Sequence, residues 1–270
     1  MGFESPQVHA VQVDIAWEDP ETNFARVRDL LGRAPVKPGD LVVLPEMFST
    51  GFSFNVQRTS DASGATLRFL EDLARLLRVT IQGGRTLNGA AGEKARNVMT
   101  MVGGDAPEQP RPLGEYSKIH PFQREAEVIA GGDRVMVYPW RADPGREIKV
   151  CPVICYDLRF PELFRRGLDL GAEVYAIGAC WPSVRHAHWR ALSIARAIEN
   201  QAFVIACNRA GDDPAGSGGL HYAGGSMVLS PMGEVLGELG EEPGVLSVPL
   251  DFGVLDAWRG KFSAWKDRKL

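Results

Sequence analysis

Apolar residues along the 270-residue chain fall into two spacings: short continuous runs suited to buried strands, and stripes at the three-and-four interval of a helix. Residues 7–15 read as a first strand. Asp19-Pro20 then supplies a capping carboxylate and a proline at the first helical position. Phe24, Val27, Leu30 and Leu31 form one helical stripe behind it. Leu41-Val42-Val43-Leu44 is a buried strand stopped by Pro45. A helix over 66–77 carries Leu67, Leu70, Leu73, Ala74 and Leu77 on one side, and 79–85, 97–102 and 115–119 read as further strands. The second half repeats the alternation. Strands are predicted at 135–140, 148–154, 173–178, 203–207, 226–229 and 245–250, and helices at 161–168 and 186–201, with a turn at Pro231-Met232-Gly233. The tail, about 254–270, carries Trp258, Phe262 and Trp265, an aromatic stripe that predicts docking on the domain or on a partner subunit. Strands and helices mixed throughout without a linker predict one α/β domain over residues 1–270.

Composition changes this picture little. Hydrophobic residues make up 44% and charged residues 24%, the balance of an ordinary globular chain. At this length a core buries roughly 70–75% of the unfolded surface, so neither disulfides nor a metal is needed as a staple. A net charge of −4 argues against a phosphate-backbone ligand. No run of about 18 apolar residues predicts a membrane span. The start shows no basic segment followed by an apolar one, so the expectation is a cytoplasmic protein with reduced thiols. Cys151, Cys155, Cys180 and Cys207 contain no CxxC spacing, and no metal site or cofactor is expected.

Three apolar strands end in a reactive residue. LVVLPEMF places Glu46 just past one, GEYSKIHPF places Lys118 near the end of another, and KVCPVICYDLRFPE places Cys155 at the end of a third. Ligands of α/β sheets sit beyond the carboxyl ends of the strands, so these three side chains could share a pocket. Together they suit acyl transfer. A thiolate attacks an electrophilic carbon, a carboxylate moves the protons, and an ammonium stabilises the oxyanion. The ammonium is also expected to lower the pKa of the thiol. Spacing alone does not bring the three together.

LVVLPEMFSTGF, YSKIHPF and VICYDLRFPELFR resemble the Glu, Lys and Cys motifs of the nitrilase superfamily of carbon–nitrogen hydrolases. ARAIENQAFVIACNRAG and GGSMVLSPMGEVL are similar to that family's later segments, in the same order. PEMFSTGF, GLHYAGGS and WRGKFSAWKD are most similar to its bacterial omega-amidase-like branch. The resemblance implies a four-layer α-β-β-α sandwich, commonly dimerised. It makes Glu46 the general base, Lys118 the oxyanion-stabilising residue, Cys155 the nucleophile and the Tyr156 backbone N–H a further oxyanion donor. A second family glutamate lies in the loop FQREAEVIAGGD, where counting back from Gly132 selects Glu125 over its rival Glu127.

The implied activity is a thiol amidase that needs no cofactor. It would act on a small linear amide, with dicarboxylic monoamides such as 2-oxoglutaramate or 2-oxosuccinamate as the expected substrates. An N-carbamoyl amino acid hydrolase or another aliphatic amidase keeps the chemistry and changes the substrate. Readings of other kinds are a binding protein that retains the fold and a Cys–His hydrolase drawing on His120, His186 or His188. Phe122, Trp181 and Tyr222 are candidate walls of the acyl pocket, and Phe48 shares their neighbourhood. Arg159 could clamp a substrate carboxylate or pair with Asp157 or Glu162 to shape the turn. Cys151, Cys180 and Cys207 are expected to be core thiols.

Overall fold

A computed structural model describes residues 5–105, 110–143 and 146–269. Residues 1–4, on which the reading of the chain's start partly falls, and Leu270 of the tail lie outside the described residues. The strands are β1 (Gln7–Gln12), β2 (Leu41–Val43), β3 (Thr80–Leu87), β4 (Arg96–Gly103), β5 (Arg111–Ser117), β6 (Tyr138–Asp143) and β7 (Arg146–Ile154). They continue with β8 (Val174–Ala179), β9 (Phe203–Asn208), β10 (Ala210–Asp212), β11 (His221–Ala223), β12 (Met227–Leu229), β13 (Val235–Glu238) and β14 (Gly244–Pro249). The helices are α1 (Pro20–Gly32), α2 (Val56–Thr59), α3 (Ala65–Leu77), α4 (Glu125–Val128), α5 (Pro161–Asp169), α6 (His186–Asn200) and α7 (Phe252–Lys261).

Two six-stranded sheets carry the fold, in the orders β14-β1-β2-β3-β4-β5 and β13-β12-β9-β8-β7-β6. Each has three parallel strands at its centre, β1-β2-β3 in one and β7-β8-β9 in the other, flanked by antiparallel neighbours. The period-2 alternation of β2 decides its packing. Leu41 and Val43 join the core between the sheets, whereas Val42 and Leu44 join α1 and α3 on the outer face. Phe24, Val27 and Leu31 of α1 and Phe69, Leu70 and Leu73 of α3 complete that outer layer. On the other sheet, Phe164 of α5 lies 4.9 Å from the Tyr175 ring, and Trp189 and Ala197 of α6 join the same core. The layers therefore run α-β-β-α, as the resemblance implies. Across the seam, Gln82 Nε2 donates to the Ala176 carbonyl at 2.9 Å. Among the described residues no helix is long and apolar enough to cross a membrane.

Local chemistry sets the element ends. Asp19 accepts the Thr22 N–H at 3.1 Å to cap α1, and Asp61 accepts the Thr66 and Leu67 N–H groups at 2.9 and 3.0 Å to cap α3. The first strand stops at Gln12, short of the expected 15, with only an isolated bridge from Asp14 to Ala210 beyond it. β5 begins earlier than expected and ends at Ser117, where the Lys118 N–H still donates in register to the Asn97 carbonyl of β4 at 2.9 Å. In the tail, α7 ends at Lys261. Phe252 and Leu255 are buried in the core, and Arg259 Nε donates to the Gln201 carbonyl at 2.9 Å.

Candidate active site

Strand ends from both sheets meet at one place. Glu46 follows β2 and Lys118 follows β5, while Cys155 follows β7 in the other sheet and Cys180 follows β8. Pro45 ends the ladder so that the chain can turn, and Met47 takes a positive φ of 44° in that turn. Glycines make room for it. A Cβ on Gly84 would sit 2.5 Å from the Met47 nitrogen and 2.7 Å from Glu46 Cα. Cys155 itself has φ 43°, a conformation that costs a non-glycine residue about 1–3 kcal/mol and is characteristic of functional turns. The turn is held by Asp157, which is fully buried. It accepts the Tyr116 hydroxyl at 2.8 Å, the His120 N–H at 3.0 Å and the Ile154 N–H at 3.4 Å.

Glu46, Lys118 and Glu125 have no solvent exposure, and Cys155 has 7%. Lys118 Nζ lies 2.7 Å from Glu46 Oε1 and 2.7 Å from Glu125 Oε2. The Phe122 N–H also donates to Glu125 Oε2 at 2.7 Å, and the Cys180 N–H donates to Glu46 Oε2 at 3.0 Å. Asn97 Nδ2 bridges the two carboxylates at 2.7 and 2.8 Å. Glu125 opens α4 inside the site. Glu127 points outward, exposed, 3.9 Å from Arg124. Loop length hides this difference in the sequence, whereas burial separates the two at once.

Burial alone would depress the pKa of Lys118, but the charges of Glu46 and Glu125 outweigh it, so the ammonium is held above its ordinary range. Burial raises Glu125, opposed by Lys118 and reinforced by Glu46. Burial also pushes the Cys155 thiol well up, the charge of Glu46 adds to that, and Lys118 pulls the other way without prevailing. The ammonium thus acts in the expected direction, but burial and Glu46 outweigh it. Two carboxylates already occupy Lys118, and one of them, Glu46, also raises the thiol. Such an arrangement can move a proton from sulfur to carboxylate as the sulfur attacks.

Above the thiol lies a cleft lined by Phe52, Phe122, Trp181, Leu220 and Tyr222, with Arg159 and Arg185 as its cations. Phe122, Trp181 and Tyr222 thus share the cleft with Cys155, whereas Phe48 is buried under α3 against Phe69. Arg159 pairs with neither Asp157 nor Glu162 among the described contacts. Its guanidinium stacks 4.8 Å from the Trp181 ring, and Nη2 lies 3.3 Å from His188 Nδ1. Arg185 stacks 5.3 Å from the Phe122 ring. Cys180 is 3% exposed and belongs to the core, as expected, while also bordering the cleft. Cys151 and Cys207 are fully buried in the core. His120 stacks on Phe160 and bonds Asp157. The sulfur of Cys155 contacts the Cys180 carbonyl at 3.8 Å, and no histidine bonds it among the described residues. Nor do the described residues group three or more His, Cys, Asp and Glu side chains for a metal ion.

The family model described as carbon-nitrogen hydrolase matches residues 7–260. The chain belongs to this family. An omega-amidase from Escherichia coli K12 is 33% identical over 97% of this chain and 96% of its own length. A 2-oxoglutaramate amidase from Bacillus subtilis is 33% identical over 90% of each. Among solved structures, a CN-hydrolase superfamily protein from Xanthomonas campestris, with an arsenic adduct in its active site, superposes with a TM-score of 0.87. It is 29% identical and covers 99% of this chain and 98% of that one. Nit3 of Saccharomyces cerevisiae, a member of branch 10 of the nitrilase superfamily, gives 0.83 at 25% identity, covering 99% and 97%. These relatives support an amidase enzyme, similar to the omega-amidase-like members of the family.

Proposed function

We propose that this amidase works through a cysteine thioester and that its substrates are dicarboxylic monoamides such as 2-oxoglutaramate or 2-oxosuccinamate. In this reading Glu46 takes the Cys155 proton while the sulfur attacks the amide carbon. The oxyanion is met by a Lys118 N–H and by the backbone N–H of Tyr156. Glu46 returns the proton to the departing nitrogen, releasing ammonia. It then deprotonates water, which attacks the thioester and frees the carboxylate and the thiol. Glu125 holds Lys118 charged and in place. No cofactor takes part.

The observation that carries the substrate class is the pair Arg159 and Arg185 on a cleft otherwise walled by Phe52, Phe122, Trp181, Leu220 and Tyr222, with the thiol among its lining residues. Half-buried guanidinium groups suit the distal carboxylate of such an amide, and the apolar walls suit its short chain. The curated relatives named for omega-amidase and 2-oxoglutaramate amidase activity support the same choice. A cytoplasmic homodimer or higher homo-oligomer, built on a single hydrolase domain, belongs to this reading. Four cysteines without a disulfide agree with a reducing compartment. Exposed apolar side chains such as Ile198 and Phe262 offer surface for a second copy.

The test is ammonia release from 2-oxoglutaramate, succinamate, glutamine, an N-carbamoyl amino acid and a simple nitrile, with Cys155→Ala as the blank. Turnover concentrated on the dicarboxylic monoamides is expected. Preference for the N-carbamoyl compound would keep the thiol chemistry and replace the substrate. Release that survives in Cys155→Ala would overturn the thioester mechanism.

A further inference from the structure

Asn97 is the second residue of β4 and has no solvent exposure, in a strand whose next residues, Val98 and Met99, are core. Its Nδ2 is shared between Glu46 Oε1 at 2.7 Å and Glu125 Oε1 at 2.8 Å. Its Oδ1 has no hydrogen-bond partner among the described residues. Buried polar atoms are as a rule satisfied, so an orphaned acceptor is a standing cost. Rotating the amide would not relieve it, because Oδ1 would then face two carboxylate oxygens. The orientation is dictated by the need for a donor between the glutamates.

We propose that Asn97 is a positioning residue for amide hydrolysis, acting through Glu46 and Glu125. With Lys118 Nζ and Asn97 Nδ2 both on Glu46 Oε1, that oxygen is occupied twice. Oε2, bonded among the described residues by the Cys180 N–H alone, is left as the oxygen that exchanges protons with the thiol and the leaving nitrogen. On Glu125 the same amide holds Oε1 while Lys118 and the Phe122 N–H hold Oε2. The two carboxylates are thereby kept at one separation around the ammonium, which retains an N–H for the substrate oxygen. The backbone strengthens the unit, since the Lys118 N–H donates to the Asn97 carbonyl at 2.9 Å.

This inference rests on the reading of Glu46 as the base, and the experiment separates the two. Steady-state ammonia release would be followed against pH for the wild type, Asn97→Leu, Asn97→Asp, Glu46→Gln and Cys155→Ala. An N–H donated to a carboxylate favours its ionised form, so removing it makes both glutamates easier to protonate. For Asn97→Leu, kcat is expected to fall about 10- to 100-fold, the worth of a charge-assisted hydrogen bond, with KM within about threefold. The acid limb of kcat/KM should move to higher pH. Asn97→Asp, close to isosteric, should move that limb further, because it adds a third carboxylate. It also serves as the informative variant if Asn97→Leu does not fold. Folded Asn97 variants with the wild-type acid limb and kcat would overturn the positioning role. Glu46→Gln or Cys155→Ala retaining wild-type release would instead overturn the mechanism beneath it.

Discussion

At the scale of single residues, the site sets a thiol whose pKa burial raises beside a buried ion cluster, and each half makes its own prediction. Burial and the charge of Glu46 hold the Cys155 thiol well above its ordinary value of 9.0 against the pull of Lys118. The ultraviolet thiolate absorbance of the wild type minus that of Cys155→Ala should therefore stay flat up to about that pH. A thiolate signal at neutral pH would show a preformed ion pair and remove the need for Glu46 to act during attack. Under the proposed mechanism, Glu46→Gln should lose about 10²- to 10⁴-fold in acylation, read as acyl-enzyme in intact mass. Arg159→Ala and Arg185→Ala test the other end of the substrate. Each should raise KM for a dicarboxylic monoamide about 10-fold or more, and leave a neutral aliphatic amide of similar length within about threefold. Equal losses on both substrates would mean that these arginines shape the cleft without reading a carboxylate.

The elements explain why side chains far apart in sequence can meet within hydrogen-bonding distance. β2, β5, β7 and β8 all deliver their carboxyl ends to the same edge, but the close approach depends on what is missing at Gly84. A methyl group there would press on the Pro45 carbonyl oxygen at 2.7 Å as well as on the Glu46 turn. Gly84→Ala is expected to destabilise the protein by about 1–3 kcal/mol and to lower kcat more than KM, because Glu46 is displaced. Gly32→Ala, at the end of α1 where a Cβ would meet nothing within 4 Å, is the matched control for thermal unfolding and kinetics. Most of these elements were legible in the sequence, because β2, β7, β8 and β9 are apolar runs bounded by turn residues. The β10–β11 hairpin was not. Its strands have three residues each, and its loop is Gly-rich and polar, so neither periodicity develops. Yet this hairpin brings Tyr222 and Leu220 to the cleft. It is anchored by the buried Arg209, whose Nη1 lies 2.6 Å from Asp213 Oδ1, while the Tyr222 hydroxyl donates to Asp213 Oδ2 at 2.9 Å.

Across the whole molecule, the site lies where the two sheets meet, and that junction is what sequence spacing could not supply. Glu46 and Lys118 come from one sheet, Cys155 and Cys180 from the other, and strand order depends on long-range pairing that leaves no periodic trace. Motif resemblance named Glu46, Lys118, Cys155 and Glu125, the residues that meet at this junction. It did not find Asn97, whose only local sign is a polar residue opening the apolar run VMTMV. The same junction makes Lys118 matter to stability as well as to chemistry. Lys118→Met leaves Glu46 and Glu125 buried without their cation, and breaking a buried pair costs about 3–5 kcal/mol. At this chain length that corresponds to a fall of about 5–15 °C in Tm near neutral pH. The sign of the pH dependence follows from the two shifts. Lys118 is raised when folded, so its contribution is fully present below its ordinary 10.5 and is lost as pH climbs beyond it. Glu125 is raised as well, so protonating it favours the folded state, and without Lys118 that preference grows. The Tm gap between wild type and Lys118→Met should therefore be widest around neutral pH and narrow as pH falls toward 5, where the variant can bury a neutral acid. Thermal melts across that range measure it. A gap that stays constant or widens on acidification would mean that Lys118 does not hold two ionised carboxylates.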